Sequence, residues 1–145
     1  MSAGRDELVA RARAARKHAH CPFSGFAVGC AVRTADGRIF GGANIENASF
    51  NLGLCAERVA IFSAIAQGAR EIRAVAVVTG ADHPVYPCGG CRQILAEFAP
   101  RAGVTLVWRD GQSLETTVAA LVPHAFVTGD FAASDPADRD GDDGG

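Results

Sequence analysis

Segments of strand-like composition alternate with segments of helical periodicity along most of this chain, and that alternation constrains its fold more than any other feature. Two β-rich stretches, 26–34 and 38–44, flank an Asp-Gly dipeptide at 36–37, which is a strong signal for an antiparallel hairpin. The Ala/Val run at 73–79 and the apolar run at 104–108 are short and flanked by turn residues. Both therefore predict strands, and the composition of the first is typical of a buried central strand.

Helical periodicity fills the intervals between these strands. Gly68 stands where a helix C-terminal cap is expected, and Pro22 and Pro123 are expected to end the helices that precede them. We predict helices over residues 6–20, 55–67, 92–98 and 114–121. The order of helix, hairpin, helix, strand, helix, strand and helix describes an α/β fold, a three-layer α/β/α sandwich around a mixed central sheet.

The C-terminal tail differs in composition from the rest of the chain. Residues 134–145 contain five Asp and one Arg, whereas the whole chain has a formal charge of only −2, so the remaining body is slightly positive. We predict one folded domain over 1–131 and a disordered acidic tail over 132–145. A body so close to neutral argues against a nucleic-acid partner and favours a small, nearly neutral ligand.

The location of the protein follows from what its sequence lacks. No apolar run approaches the roughly 20 residues that span a bilayer, and the N-terminus lacks the order of a secretory signal. We therefore expect a cytoplasmic protein that makes no use of a membrane. Its five cysteines are an odd number, which fits poorly with a disulfide framework, so we interpret them as reduced thiols that are available to a metal.

Three of the cysteines predict a metal site. The pair Cys88 and Cys91 alone decides nothing, because C-x-x-C occurs in redox motifs and in structural zinc ribbons. A zinc ribbon would need a second such pair, and the chain offers instead Cys55 at the start of a predicted helix. Three thiolates with an open fourth position are typical of a catalytic zinc, whereas structural zinc has four protein ligands.

The remaining candidate ligands fit this site less well. Cys21 lies in a loop and Cys30 in an apolar strand, so we interpret both as small buried hydrophobic residues. A histidine could close the fourth position, but none stands at a ligand-like spacing from a cysteine. The four histidines are His18, His20, His83 and His124.

Glu57 is the candidate catalytic residue. Cys55-Ala56-Glu57 and Pro87-Cys88-Gly89-Gly90-Cys91 match the two halves of the signature of zinc nucleobase deaminases, in which the Glu is not a ligand. A carboxylate beside an open zinc site can collect and redeliver protons. Three thiolates on Zn²⁺ leave a formal charge of −1, so we expect the helix starts near Cys55 and Cys91, together with Arg58 and Arg92 as donors to the sulfurs, to compensate it.

Four separated motifs, in order, resemble the small homotetrameric cytidine deaminases over about residues 6–131. They are His20-Cys21-Pro22-Phe23-Ser24-Gly25-Phe26-Ala27-Val28-Gly29, Asn44-Ile45-Glu46-Asn47-Ala48, Cys55-Ala56-Glu57-Arg58 and Pro87-Cys88-Gly89-Gly90-Cys91-Arg92-Gln93. The resemblance implies a cytidine deaminase-like catalytic domain over 1–131 that hydrolyses cytidine and 2′-deoxycytidine to the uridines with release of ammonia, in pyrimidine salvage. It also implies one Zn²⁺ per subunit and a homotetramer with shared active sites.

The resemblance further assigns the contacts that one subunit makes with its nucleoside. Asn44 and Glu46 correspond to residues that bind the ribose 3′-hydroxyl, and an amide and a carboxylate at alternate strand positions can hold a hydroxyl as donor and acceptor. Phe26 corresponds to the residue that packs against the pyrimidine. The backbone around Ala56 and Pro87 corresponds to the part that reads the base.

Other contacts are implied to cross between subunits. Ala48 and Phe50 correspond to the segment that reaches the sugar in a neighbouring subunit's site, and Phe126 corresponds to the aromatic residue that a neighbour contributes over the base. The family often has Tyr where this chain has Phe23 and Phe50, so the fine substrate preference stays open. Two alternatives remain: a deaminase of a modified cytosine nucleoside such as blasticidin S, and a non-catalytic zinc-binding module.

Overall fold

A computed structural model of the protein describes residues 2–133 together with Asp135 and Ala137. Its centre is a five-stranded sheet in the order β2-β1-β3-β4-β5. The elements are α1 (Ser2–Arg16), β1 (Val28–Thr34), β2 (Ile39–Ala43), α2 (Ala56–Ala66), β3 (Ile72–Thr79), α3 (Gly89–Phe98), β4 (Gly103–Val107), β5 (Ser113–Thr117) and α4 (Val118–Leu121). Strand β3 runs parallel to β4, and the other neighbouring strands are antiparallel, which confirms the predicted mixed sheet.

Helices cover both faces of the sheet. On one face Leu8 and Ala12 of α1 form an apolar cluster with strand residues that include Ala76. On the other face Ile61 of α2 and Leu95 of α3 belong to a larger cluster, which also takes in residues of α4. The three-layer α/β/α sandwich predicted from the sequence is therefore confirmed.

Two glycines let helices approach the sheet closely. A Cβ atom on Gly29 of β1 would lie 2.0 Å from the carbonyl oxygen of Ala12 in α1. A Cβ atom on Gly42 of β2 would lie 2.4 Å from the backbone nitrogen of Ala60 in α2. Since real Cβ atoms do not come so near to backbone, the absence of a side chain at Gly42 sets how closely α2 lies on the hairpin.

The predicted helix over 114–121 is wrong in its first half. Residues Ser113–Thr117 form β5, and only Val118–Leu121 are helical. The cause is a hairpin with β4, which Asp110 and Gly111 make possible by adopting positive φ angles of 69° and 73°. Exposure then alternates along β5, as expected of a strand with one face on the core.

Other helix boundaries also differ from the prediction: α1 begins at Ser2 rather than at residue 6, and α2 is one residue shorter at each end. Helix α1 ends at Arg16 rather than at His20, because His20 is held in extended backbone: its N–H donates to Asn44 O at 2.9 Å, and its carbonyl accepts from Glu46 N at 2.8 Å. Helix α3 begins at Gly89, three residues before the predicted start. No helix among the described residues is long and apolar enough to cross a bilayer.

The C-terminal end of the described chain is a short 3₁₀ helix, Thr128–Ala133. It includes the first two residues of the predicted tail over 132–145. Apart from these and the isolated Asp135 and Ala137, that prediction lies outside the described residues.

Candidate active site

Three thiols meet at the N-terminal ends of α2 and α3. The Sγ atoms of Cys55, Cys88 and Cys91 all lie within 4.8 Å of one another, and those of Cys55 and Cys88 are 3.8 Å apart. Two thiolates bound to one tetrahedral Zn²⁺ at about 2.3 Å are expected to be separated by about 3.8 Å. The cluster therefore fits a zinc ion as it stands.

Secondary structure explains why these thiols converge. Cys55 is the residue before α2 and Cys88 the residue before α3, both with extended backbone, and Cys91 lies in the first turn of α3. Two helix N-termini therefore point at the sulfurs, and each carries a partial positive charge. This supplies the electrostatic compensation that three thiolates on one Zn²⁺ require.

Arg58 supplies further positive charge. Its Nη2 donates to Cys55 Sγ at 3.6 Å, and its buried Nε has no hydrogen-bond partner among the described residues. A hydrogen bond from Cys91, followed by the one from Arg58, lowers the pKa of Cys55 to about 5. The hydrogen bond with Cys55, together with burial, raises the pKa of Cys91.

Arg92 takes a different place from the one predicted for it. Its Nε donates to Pro87 O at 2.7 Å and its Nη1 to Leu121 O at 3.1 Å, so it fixes the loop before Cys88 instead of donating to the sulfurs. Neighbouring Gln93 acts in the same way, because its Nε2 donates to Phe126 O at 2.8 Å. Two consecutive side chains of α3 thereby hold the C-terminal segment against the metal loop.

The other candidate ligands stay apart from the cluster. Among the described residues, only the three cysteines at 55, 88 and 91 form a group that could hold a metal. Cys30 is fully buried between the sheet and α2, where burial raises its pKa, and Cys21 is half-buried in its loop. All four histidines are exposed, and none of them joins this group within the described part of the chain.

Glu57 is a buried carboxyl beside the sulfurs. It lies in the first turn of α2 and is only 5% exposed. Burial raises the pKa of its carboxyl, while a hydrogen bond with Cys91 acts in the opposite direction. A carboxyl of this kind holds a proton at a higher pH than an exposed one, which suits a group that must both accept and donate it.

One cavity of about 250 Å³ joins this carboxyl to most of the residues expected to contact substrate. Its lining includes Glu57 and the thiols Cys55 and Cys88, together with Phe26, Asn44, Glu46, Ala56 and Pro87. It also includes residues that sequence reasoning missed, namely Val77, Thr79, Val85 and Tyr86. Thr79 is the last residue of the central strand β3. Ligands of α/β folds bind at the carboxyl ends of such strands, so this position could have indicated Thr79 as a cavity residue.

Asn44 and Glu46 are tied to the segment that carries Phe26. Asn44 Oδ1 accepts from Val28 N, and its Nδ2 donates to Phe26 O, both at 2.8 Å. Glu46 Oε1 accepts from Phe23 N and Ser24 N, both at 3.1 Å, and its Oε2 accepts from Ser24 Oγ. The Ser24 hydroxyl is the largest influence that lowers the pKa of Glu46.

Two of the expected substrate contacts lie outside this cavity. Ala48 is exposed in the loop before a 3₁₀ turn, Phe50–Leu52, and Phe126 is 55% exposed, with its ring against Phe131 at 5.3 Å between centroids. Neither residue lines the cavity of its own chain. Their contacts in a neighbouring subunit's site stay a prediction.

Comparison with known proteins gives consistent relatives. Residues 3–107 match the model of the cytidine and deoxycytidylate deaminase zinc-binding region. The cytidine deaminase of Sporosarcina psychrophila is 44% identical over 128 residues, covering 88% of this chain and 94% of the relative, and that of Halalkalibacterium halodurans is 46% identical, covering 88% and 97%. The blasticidin-S deaminase of Bacillus cereus is less similar, at 33% identity over 69% of this chain and 76% of its own.

A solved structure agrees with these relatives. The crystal structure of a cytidine deaminase from Burkholderia pseudomallei superposes with a TM-score of 0.81 at 42% sequence identity. The match covers 87% of this chain and 100% of that one. Fold similarity and sequence similarity therefore lead to the same family.

Proposed function

Because this chain belongs to the cytidine and deoxycytidylate deaminase family, we propose that it hydrolyses cytidine and 2′-deoxycytidine to uridine and 2′-deoxyuridine, with release of ammonia. The observation that carries this function is the shared cavity, which is lined by two thiols of the metal site, Cys55 and Cys88, by the buried carboxyl of Glu57 and by the polar pair Asn44 and Glu46. In a cell this reaction is a step of pyrimidine salvage.

Cys55, Cys88 and Cys91 hold one Zn²⁺ per subunit. When bound, the ion lowers the pKa of a water ligand so that hydroxide is available near neutral pH. The chain's own contribution is to hold the three sulfurs at the required spacing and to balance their charge with two helix N-termini and Arg58. The fourth position is left free of protein ligands.

Glu57 moves the protons of the reaction. Its carboxylate takes a proton from the attacking water and delivers it to N3 of the pyrimidine, which makes C4 easier to attack. It then takes the proton of the new hydroxyl group on C4 and passes it to the amino group, so that the C4–N bond breaks, C4 becomes a carbonyl and ammonia leaves. Burial supports this role, because a raised pKa keeps the protonated form accessible between the two transfers.

Asn44 and Glu46 bind the 3′-hydroxyl of the ribose. Within the described part of the chain, Asn44 uses one of its two side-chain N–H groups, and Glu46 Oε2 accepts one hydrogen bond of the two it can take. One donor and one acceptor are left on the cavity side of the pair. A hydroxyl group, which needs one of each, satisfies both.

The base lies between Phe26 and the start of α2. The ring of Phe26 is 39% exposed and lines the cavity, so its face is available to a planar pyrimidine. Ala56 is the first residue of α2, and its N–H has no partner within the helix, which leaves it to donate to the base. The Pro87 carbonyl is held in place by Arg92 while retaining a second lone pair for the amino side of the base.

The protein is proposed to work as a cytoplasmic homotetramer with shared active sites. Five unpaired thiols suit a reducing compartment. Exposed aromatic residues support assembly, because Phe50, Phe126 and Phe131 are each more than half exposed in one chain. Ala48 and Phe126 would then reach the cavities of neighbouring subunits. Light scattering is expected to give about four times the mass of one chain, and a monomeric mass would contradict the shared site.

The direct test is a deaminase assay with the purified, zinc-replete protein. Cytidine absorbs more strongly than uridine near its own maximum, so turnover is expected as a rapid loss of absorbance that releases one ammonia per nucleoside. 2′-Deoxycytidine is expected to react as well, because neither Asn44 nor Glu46 is assigned to the 2′-hydroxyl. Absence of turnover for both nucleosides, with zinc bound, would contradict the proposed function.

A substrate panel separates the alternatives. Blasticidin S, adenosine and a cytosine-containing oligonucleotide are expected to react far more slowly than cytidine. Recognition of a free 3′-hydroxyl excludes a nucleotide within a chain, and the body carries little positive charge to attract one. Preferential turnover of blasticidin S would move the function to the modified nucleoside, and zinc binding without turnover of any substrate would favour a non-catalytic module.

A further inference from the structure

Ser24 lies between the two residues to which the proposed function assigns opposite ends of the nucleoside. Its Oγ donates to Glu46 Oε2 on the ribose side. The same Oγ accepts from the backbone N–H of Phe26, on the base side, at 3.0 Å. A single hydroxyl group thus joins the carboxylate expected to bind the 3′-hydroxyl to the aromatic residue expected to contact the pyrimidine.

The direction of both hydrogen bonds is fixed by their partners. The Phe26 N–H can only donate, so Ser24 Oγ must accept there, and its own hydrogen is then free for Glu46. An ionised carboxylate can only accept, which makes the second bond charge-assisted and stronger than a bond between neutral groups. The two hydrogen bonds therefore run in one direction, from the Phe26 N–H to the Ser24 hydroxyl and from that hydroxyl to the Glu46 carboxylate.

The rest of the turn strengthens this link. The backbone N–H groups of Phe23 and Ser24 both donate to Glu46 Oε1, so Glu46 has one oxygen on the turn backbone and the other on the Ser24 hydroxyl. Ser24 also lines the cavity that contains Glu57 and the neighbouring one of about 410 Å³. Rotation of the Glu46 carboxylate would break its hydrogen bonds with the backbone of Phe23 and Ser24 and with the Ser24 hydroxyl.

We propose that Ser24 is a positioning residue that sets the Glu46 carboxylate for the substrate 3′-hydroxyl. The inference rests on the proposed function. It predicts that Ser24 increases the affinity for nucleosides with a 3′-hydroxyl more than for those without one, because only the former can form a hydrogen bond with Glu46. Ser24 itself need not touch the reacting atoms.

The test compares ligands that differ only in the 3′-hydroxyl. Uridine and 3′-deoxyuridine are used as competitive inhibitors of cytidine turnover by wild type, Ser24→Ala, Ser24→Thr and a control, Ser113→Ala, in exposed β5. Ser24→Ala is expected to raise the inhibition constant of uridine about 10-fold or more, the size of a lost charge-assisted hydrogen bond, and that of 3′-deoxyuridine less than about 2-fold. For cytidine, KM is expected to rise more than kcat falls.

The remaining variants decide between positioning and a general effect on the loop. Ser24→Thr keeps the hydroxyl and is expected to stay close to wild type, as is Ser113→Ala. An equal loss of affinity for both uridines, or no loss for either, would overturn the proposal. Failure of the wild-type protein to turn over cytidine is a separate result that would count against the proposed function instead. Zinc content and melting temperature, measured for each variant, show that Ser24→Ala keeps the fold and the metal.

Discussion

Glu57→Gln is expected to bind zinc as the wild-type protein does and yet to lose turnover of cytidine by about three to four orders of magnitude. The amide has nearly the size of the carboxyl and can still form hydrogen bonds in the buried first turn of α2. It cannot take a proton from water and return it to the substrate, which is the contribution of a general acid and base. The measurement is kcat for cytidine, with metal content determined on the same sample.

The matched control for this variant is Glu97→Gln. Glu97 is exposed on α3 and does not line the active-site cavity, so the same change of charge there should leave kcat within about 2-fold. Substrate affinity is expected to survive in Glu57→Gln, because Asn44 and Glu46 are unchanged. If Glu57→Gln kept both its zinc and the wild-type kcat, Glu57 would not be the residue that transfers the protons.

The sheet could be predicted from the sequence because its signals are local. The Asp-Gly turn at 36–37 indicated β1 and β2, and the two short apolar runs indicated β3 and β4, which are four of the five strands of the sheet. The error at β5 has the opposite cause. Residues 114–121 are compatible with either period, and the hairpin with β4, set by Asp110 and Gly111, decides in favour of a strand.

The metal cluster could be predicted because its three cysteines belong to two short sequence motifs. Cys88 and Cys91 are close in sequence, and Cys55 with Glu57 completes a known pattern, so the structure needed only to bring two helix starts together. The partners of Arg92 could not be predicted in this way. Its contacts with the carbonyls of Pro87 and Leu121 depend on how α3 meets α4, which no local pattern contains.

The hydrogen bonds that join Asn44 and Glu46 to the loop before β1 could not be predicted from the sequence either. Ser24 and Glu46 are 22 residues apart, and the two segments meet only because His20 and Ile45 form a bridge beside the hairpin. Asn44 was expected to face substrate, and the structure adds that its amide holds the backbone on either side of Ala27. The residues proposed to bind substrate therefore also hold the loop that carries Phe26.

The position of the three thiols relative to the apolar core determines what loss of the metal should do. The apolar clusters on both faces of the sheet are formed by α1 to α4 and the strands, and neither cluster includes Cys55, Cys88 or Cys91. Cys88 is exposed just before the N-terminus of α3, and its Sγ atom lies 3.8 Å from Cys55 Sγ. We therefore expect a zinc ion at this position to complete the active site without being needed to form the core.

Cys88→Ala is therefore expected to lose zinc and to lose activity by about three orders of magnitude or more, while remaining folded. Two thiolates cannot hold the ion as three do, and without it no hydroxide is available near neutral pH. Metal analysis, cytidine turnover and circular dichroism test the three parts, with Cys21→Ala, a loop thiol outside the cluster, as control. Retention of zinc and rate would remove Cys88 from the ligands. Unfolding on loss of zinc, in a protein that never turned over a substrate, would instead make the metal structural.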